Sequence, residues 1–136
     1  MLKLPFVRQG TALTLLRLTT AGLFMAHAVV RIGNGSIPQF GKFMESVGFP
    51  QGQAVVWAIS LTELIAGTLM IIGWKVRWMA VPLFAIAAGG IALIHRHLGW
   101  FVGEHGTGGS EYSVALMVML LVVAASDPDV RGPDRR

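Results

Sequence analysis

Four long apolar runs govern what this chain can fold into. Crossing a hydrocarbon core of about 30 Å takes about 20 consecutive, mostly apolar residues in a helix. Runs of that kind occupy most of the 136 residues, leaving length for four helices and little else. Charged residues make up 13% of the chain and hydrophobic ones 54%, whereas a soluble domain carries about 25% charged. The expected architecture is an all-α membrane protein: a four-transmembrane-helix bundle built as a single domain over residues 1–136.

The first helix is expected from about Leu13 to Ile32 and the second from about Ala54 to Trp74. The third runs from about Trp78 to His95 and the fourth from about Tyr112 to Ser126. The first run is long, contains Arg17 and His27 and lacks a small-residue cleavage site, so it reads as a retained helix rather than a removable leader. Pro82 falls in the first turn of the third helix, where a missing amide matters least. The small residues Ala85, Ala87, Ala88, Gly89, Gly90 and Ala92 permit close helix approach in lipid, and such faces suit a homo-oligomer.

Between helices one and two, Ser36 and Pro38 give a helix start, and Gly48 gives a stop. Ile37, Phe40, Phe43, Met44 and Val47 recur at helical spacing between them. This segment, about residues 37–47, is read as a short amphipathic interfacial helix with Lys42 and Glu45 on its wet side. A loop whose aromatic residues dip into the interface is the alternative.

Lys3 and Arg8 precede helix one, Lys75 and Arg77 fill the turn between helices two and three, and Arg131, Arg135 and Arg136 lie in the tail. Basic residues collect on the cytoplasmic side, which predicts a multi-pass protein of the inner (cytoplasmic) membrane with both termini in the cytoplasm. The pI near 10.4 does not indicate a nucleic-acid partner, because the cations sit at helix ends and in short loops rather than on one polar face. Cysteine is absent, which excludes disulfides, thiol redox chemistry and thiolate ligation of zinc or iron–sulfur clusters. Any redox centre is borrowed or held by other ligands.

Five ionisable side chains interrupt the apolar runs or sit at their mouths: Arg17, His27, Glu63, His95 and Glu111. A charge at bilayer depth costs at least about 2.5 kcal/mol on insertion scales, so each should face protein or water and marks a functional-site candidate. At about 1.5 Å per residue, His27, Glu63, His95 and Glu111 fall in the outward-facing half of the bundle, with Arg17 deeper as a partner for Glu63. At about 100° per residue, Arg17, Thr20, Phe24, His27 and Arg31 lie within about 80° of one another, and Ser60, Glu63 and Gly67 share a face of helix two. The fourth helix has only about 22 Å of apolar length, so the bilayer would cover Glu111.

Structural readings stand beside the functional ones. Glu63 paired with Arg17 or Arg31 would fix helix register. Glu111 would be a first-turn carboxylate at the positive end of helix four, with Ser110 as the cap. His95, Arg96 and His97 would form a cationic helix end. His27 has no comparable structural account.

The runs Leu16-Arg17-Leu18 and Gly22-Leu23-Phe24, leading to His27 and Arg31, together with Gly48-Phe49-Pro50 and Glu63-Leu64-Ile65-Ala66-Gly67, resemble the DoxX family of small four-helix membrane proteins. His95 and Ser110-Glu111-Tyr112 extend the likeness over about residues 13–126, with Arg31 standing where the family pattern suggests lysine. The resemblance implies a respiratory or redox-linked role. Relatives include a subunit assigned to thiosulfate:quinone oxidoreductase and others associated with oxidative-stress membrane complexes.

Three functions are consistent with these residues. In a quinone-linked oxidoreductase subunit, a quinone cofactor would need an apolar pocket, donors to its carbonyl oxygens and a proton-handling group. His27 and Glu63 are the candidate catalytic pair, and His27 and His95 the candidate donors. Phe24, Trp57 or Trp100 would flank the ring, while Arg17, Arg31 and Glu111 complete the binding set, an arginine holding a reduced quinone or an anionic substrate. Electrons would then come from a substrate or a redox partner protein. A second reading is a metal or haem site on His27, His95 and the carboxylates, although their spacing matches no tight metal motif. The third is a non-enzymatic assembly subunit whose ion pairs only hold the helices together. In all three the bilayer is the first partner.

Overall fold

The computed structural model describes residues 6–103 and 108–127; Lys3, His105 and the tail arginines Arg131, Arg135 and Arg136 lie outside the described residues. Helices α1 (Gln9–Gly33), α2 (Ile37–Ser46), α3 (Gly52–Ile72), α4 (Val76–Leu93) and α5 (Glu111–Ala125) follow in order, with a short 3-10 turn, His95–Leu98, after α4. No strand occurs among the described residues. Helices α1, α3 and α4 are long and apolar enough to cross a bilayer, and α5, at 15 residues, is apolar but shorter.

The distribution of polarity identifies lipid as the solvent. The exposed side of α3 carries Trp57, Leu61, Ile65 and Ile72, whereas its buried side carries Ser60, Glu63 and Gly67. A helix in water has the opposite arrangement. Hydroxyls are satisfied within their own helices: Thr20 Oγ1 donates to Leu16 O at 2.7 Å, Ser60 Oγ to Val56 O at 2.9 Å and Thr68 Oγ1 to Leu64 O at 2.7 Å. The molecule is a membrane helical bundle whose apolar flanks contact the bilayer.

Helix α1 packs along α3 and α4 along α5; α3 meets α4, and α5 closes the ring against α1. At the α1–α3 crossing, Gly67 admits the Met25 side chain, and a Cβ there would also lie 3.3 Å from the Ala21 carbonyl. Helix α2 lies across the start of α3 with Gly41 against Gly52, so that a Cβ on Gly52 would fall on the Gly41 carbonyl. Glu45 Oε1 accepts a hydrogen bond from the Gly52 amide at 3.2 Å. It thereby supplies a partner at the first turn of α3, where Gln51 makes no side-chain cap.

Helices α2 and α3 end alike. Gly48 and Gly73 hold φ of 102° and 82°, and the following residues donate back into the last turn, Phe49 N to Met44 O at 3.0 Å and Trp74 N to Leu69 O at 2.9 Å. Glycine enters this left-handed region without a Cβ penalty, which makes both turns sharp. Two apolar cores result. One includes Ala21, Phe24, Met70, Leu83, Leu116 and Leu120; the other, of Ile37, Met44 and Val56, lies beneath α2.

Several local expectations change. Helix α1 starts at Gln9 rather than near Leu13, with Thr14 Oγ1 donating to Gly10 O at 3.0 Å in its polar first turn. Helix α4 starts at Val76, so Pro82 stands well inside it rather than in its first turn. The helix also stops at Leu93, placing His95 in the 3-10 turn. Ser36 precedes α2, but its hydroxyl donates to Arg31 O at 3.2 Å instead of capping the helix. Lys42 and Glu45 are exposed as expected, while the apolar face of α2 is buried against the bundle rather than turned to lipid.

Candidate functional site

The polar faces of α1 and α3 meet at one ion pair. Arg31 Nη1 donates to Glu63 Oε2 at 2.9 Å and to Ser60 Oγ at 2.8 Å. Glu63 is 2% exposed, so this carboxylate sits within the bundle rather than at its surface. The Arg31 guanidinium carbon lies 5.5 Å from the centre of the Phe40 ring, which holds the cation under α2. The pair as a whole is neutral. That lowers the cost of placing both groups in lipid.

Beside the pair lies a cavity of about 400 Å3, bounded by all five helices and the His95 turn. Its walls are mostly apolar: Phe24, Met44, Ile59, Ile86, Leu93 and Leu116. Its polar groups are His27, Arg31, Glu63, His95, Tyr112 and Ser113. The His27 and Tyr112 rings stand 5.8 Å apart at 50° and bridge α1 to α5. His27, Arg31, Phe40 and Tyr112 also face a shallower depression against Leu23, Ala26 and Val30, so they form a partition with space on both sides. His95 Nδ1 is buried and bonds nothing among the described residues. The ring lies beside α4, where a Cβ on Gly90 would make ordinary contact with His95 Cδ2 at 3.5 Å.

Of the residues singled out in the sequence, Phe24, His27, Arg31, Glu63 and His95 come together here. Arg17, Glu111, Trp57 and Trp100 do not. Arg17 is no partner for Glu63: its guanidinium lies against Gly73, at the far end of α3. The ten residue steps from Glu63 to Gly73 correspond to about 15 Å of helix, beyond the reach of that side chain. Glu111 accepts a hydrogen bond from the Val102 amide at 2.8 Å, tying the preceding loop to the start of α5 without lining the cavity. Trp57 and Trp100, 43% and 53% exposed, are likewise absent from its walls. Tyr112, Phe40, Met44 and Phe49 line the cavity without having been candidates. Tyr112 is the single tyrosine of the chain and directly follows Glu111, which was the one signal available for it.

A family model, DoxX, matches residues 12–96. The chain belongs to the DoxX family. Membership places it among membrane proteins often linked to oxidoreductase or stress systems. No curated protein and no solved structure gives a match. The DoxX match runs from α1 through the ion pair to His95, and it stops short of Tyr112 and α5. In this DoxX protein no three His, Asp or Glu side chains converge as a metal-ligand set among the described residues.

Proposed function

We propose that this DoxX-family chain is the membrane subunit of a quinone-linked oxidoreductase system, and that the cavity takes the head of a quinone or another small neutral redox substrate. One observation carries this reading: the polar end of an otherwise apolar cavity is closed by a charge-neutral Arg31–Glu63 pair. Because Glu63 engages Arg31, the site presents no spare cation, and a neutral ligand suits it better than the anionic substrate that a lone arginine would invite. The buried His95 Nδ1, unbonded among the described residues, is the kind of group a carbonyl-bearing ligand satisfies.

The quinone would supply the two-electron chemistry. The residues of the chain orient it and move protons: His27, His95 and Tyr112 present ring N–H and O–H groups to carbonyl oxygens, and Phe24 and Phe40 flank the ring. Arg31 occupies Glu63 Oε2, and Oε1 receives no hydrogen bond among the described residues, so Oε1 is where a proton is held. With no cysteine in the chain, electrons arrive from the substrate itself or from a redox partner protein. The cations Arg8, Lys75 and Arg77 support reading the end remote from the cavity as the cytoplasmic end, in an inner-membrane protein with both termini inside.

The test is a binding measurement with a short-chain benzoquinone on the detergent-purified full chain. Gly89 lines the cavity, and a Cβ there meets nothing within 4 Å, so Gly89→Leu adds volume without a backbone clash. Wild type is expected to bind the quinone, and Gly89→Leu to weaken binding at least about tenfold with helicity unchanged. Absence of binding to wild type, or equal binding by both proteins, overturns the reading.

A further inference from the structure

The other end of the bundle carries a cation that the redox reading leaves unused. Arg17 lies in a membrane-spanning helix, its Nε is buried without a hydrogen-bond partner, and it forms no ion pair among the described residues. Its guanidinium rests over the turn that ends α3, where a Cβ on Gly73 would lie 3.4 Å from Nη1. The carboxylates of the described residues are engaged elsewhere: Glu63 by Arg31, Glu45 by the Gly52 amide, Glu111 by the Val102 amide and Asp127 by the Arg77 amide at 2.9 Å. A membrane-embedded guanidinium with no carboxylate partner among the described residues suits an external anion.

The neighbouring residues identify the level in the membrane. Trp74 and Trp78 are 50% and 60% exposed, at the turn and the start of α4. Lys75 Nζ lies 4.9 Å from the Trp74 ring centre, and the Arg77 guanidinium carbon lies 5.3 Å from that of Trp78. Exposed tryptophans backed by cations sit where acyl chains meet headgroups. The anion abundant at that level is a lipid phosphate, and guanidinium binds phosphate through paired N–H groups.

We infer that Arg17, Lys75 and Trp74 around the α3–α4 turn form a binding site for the phosphate of an anionic phospholipid. Arg17 engages the phosphate, Lys75 adds a second positive charge, and the Trp74 ring lies against the glycerol and upper acyl chain. The site is independent of the cavity, so its failure and that of the quinone reading are separate results.

The experiment is native mass spectrometry of the detergent-purified full chain with added phosphatidylglycerol, phosphatidylcholine or inorganic phosphate. Wild type is expected to retain one phosphatidylglycerol in preference to phosphatidylcholine, and inorganic phosphate should not displace it. Arg17→Gln should lower that retention at least about tenfold, while Lys42→Gln, on the exposed side of α2, leaves it unchanged. Lys75→Gln, an exposed change that leaves the buried core untouched, should lower it several-fold and keeps the test decisive if Arg17→Gln fails to fold. Equal retention by wild type and by the variants at Arg17 and Lys75 overturns the site. So does indifference to lipid charge, and displacement by inorganic phosphate overturns the assignment to lipid.

Discussion

Replacing Arg31 with methionine is expected to cost the bundle about 3 to 5 kcal/mol, the range found when one member of a buried ion pair is removed. Glu63 would lose both its counter-charge and the hydrogen bond to Oε2, with no other arginine and no lysine lining the cavity to take over. Arg17 cannot, because it lies against Gly73 at the far end of α3. Ser60 Oγ would also lose the N–H that it accepts. The double change Arg31→Met with Glu63→Leu should recover most of the loss, since two apolar side chains in this setting need no partner. Glu63→Gln should cost less than Arg31→Met, because the amide oxygen still accepts from Arg31. Equilibrium unfolding in mixed detergent micelles reads all three. A single change at Arg31 as mild as the double change would mean that the pair contributes little to holding α1 on α3.

The second large effect is expected at Gly52. A Cβ on this residue would fall on the Gly41 carbonyl, a backbone group that cannot swing aside as a flexible side chain does. Gly52→Ala therefore has to push α2 away from α3, and overpacking of this kind costs about 1 to 3 kcal/mol or more. The effect concentrates on α2, which contributes Phe40 and Met44 to the cavity. Because the chain has no cysteine, a single introduced thiol reports on it cleanly. Met44→Cys, at a position 4% exposed, should react with a maleimide at least about tenfold faster in the Gly52→Ala background than alone. An unchanged labelling rate would mean that α2 is held by contacts other than the glycine pair.

These two sites separate what the sequence displays from what only packing decides. Helix existence was legible, because runs of about 20 apolar residues in lipid leave little freedom. The angular stripe on α1 was legible in part: Thr20 and Phe24 are buried and Arg31 reaches Glu63, whereas His27, on the same stripe, lines the cavity from an exposed position. The partner of Glu63 was not. Arg17 and Arg31 lie on the same face, and the choice between them depends on how far α1 slides along α3, which the contact of Gly67 with Met25 sets. Aromatic residues were ambiguous for another reason. Lipid and a bound ring both favour tryptophan, so Trp57 and Trp100 looked like cavity residues, while Tyr112 was overshadowed by the carboxylate of Glu111 directly before it. The fold of α2 over the bundle was invisible for the same reason as the Gly41–Gly52 contact: an amphipathic pattern does not say whether lipid or protein covers its apolar side.

The neutrality of the Arg31–Glu63 pair has an electrical meaning. A transmembrane potential acts on net charge, with about 2.3 kcal/mol per elementary charge per 100 mV across the full thickness. Two opposite charges joined at 2.9 Å feel almost no net pull, so the site holds its shape whether the membrane is energised or collapsed. Adding one proton to Glu63 would leave the arginine uncompensated and make the site charged. Loading a neutral ligand would then be indifferent to voltage, and only the proton step would feel it.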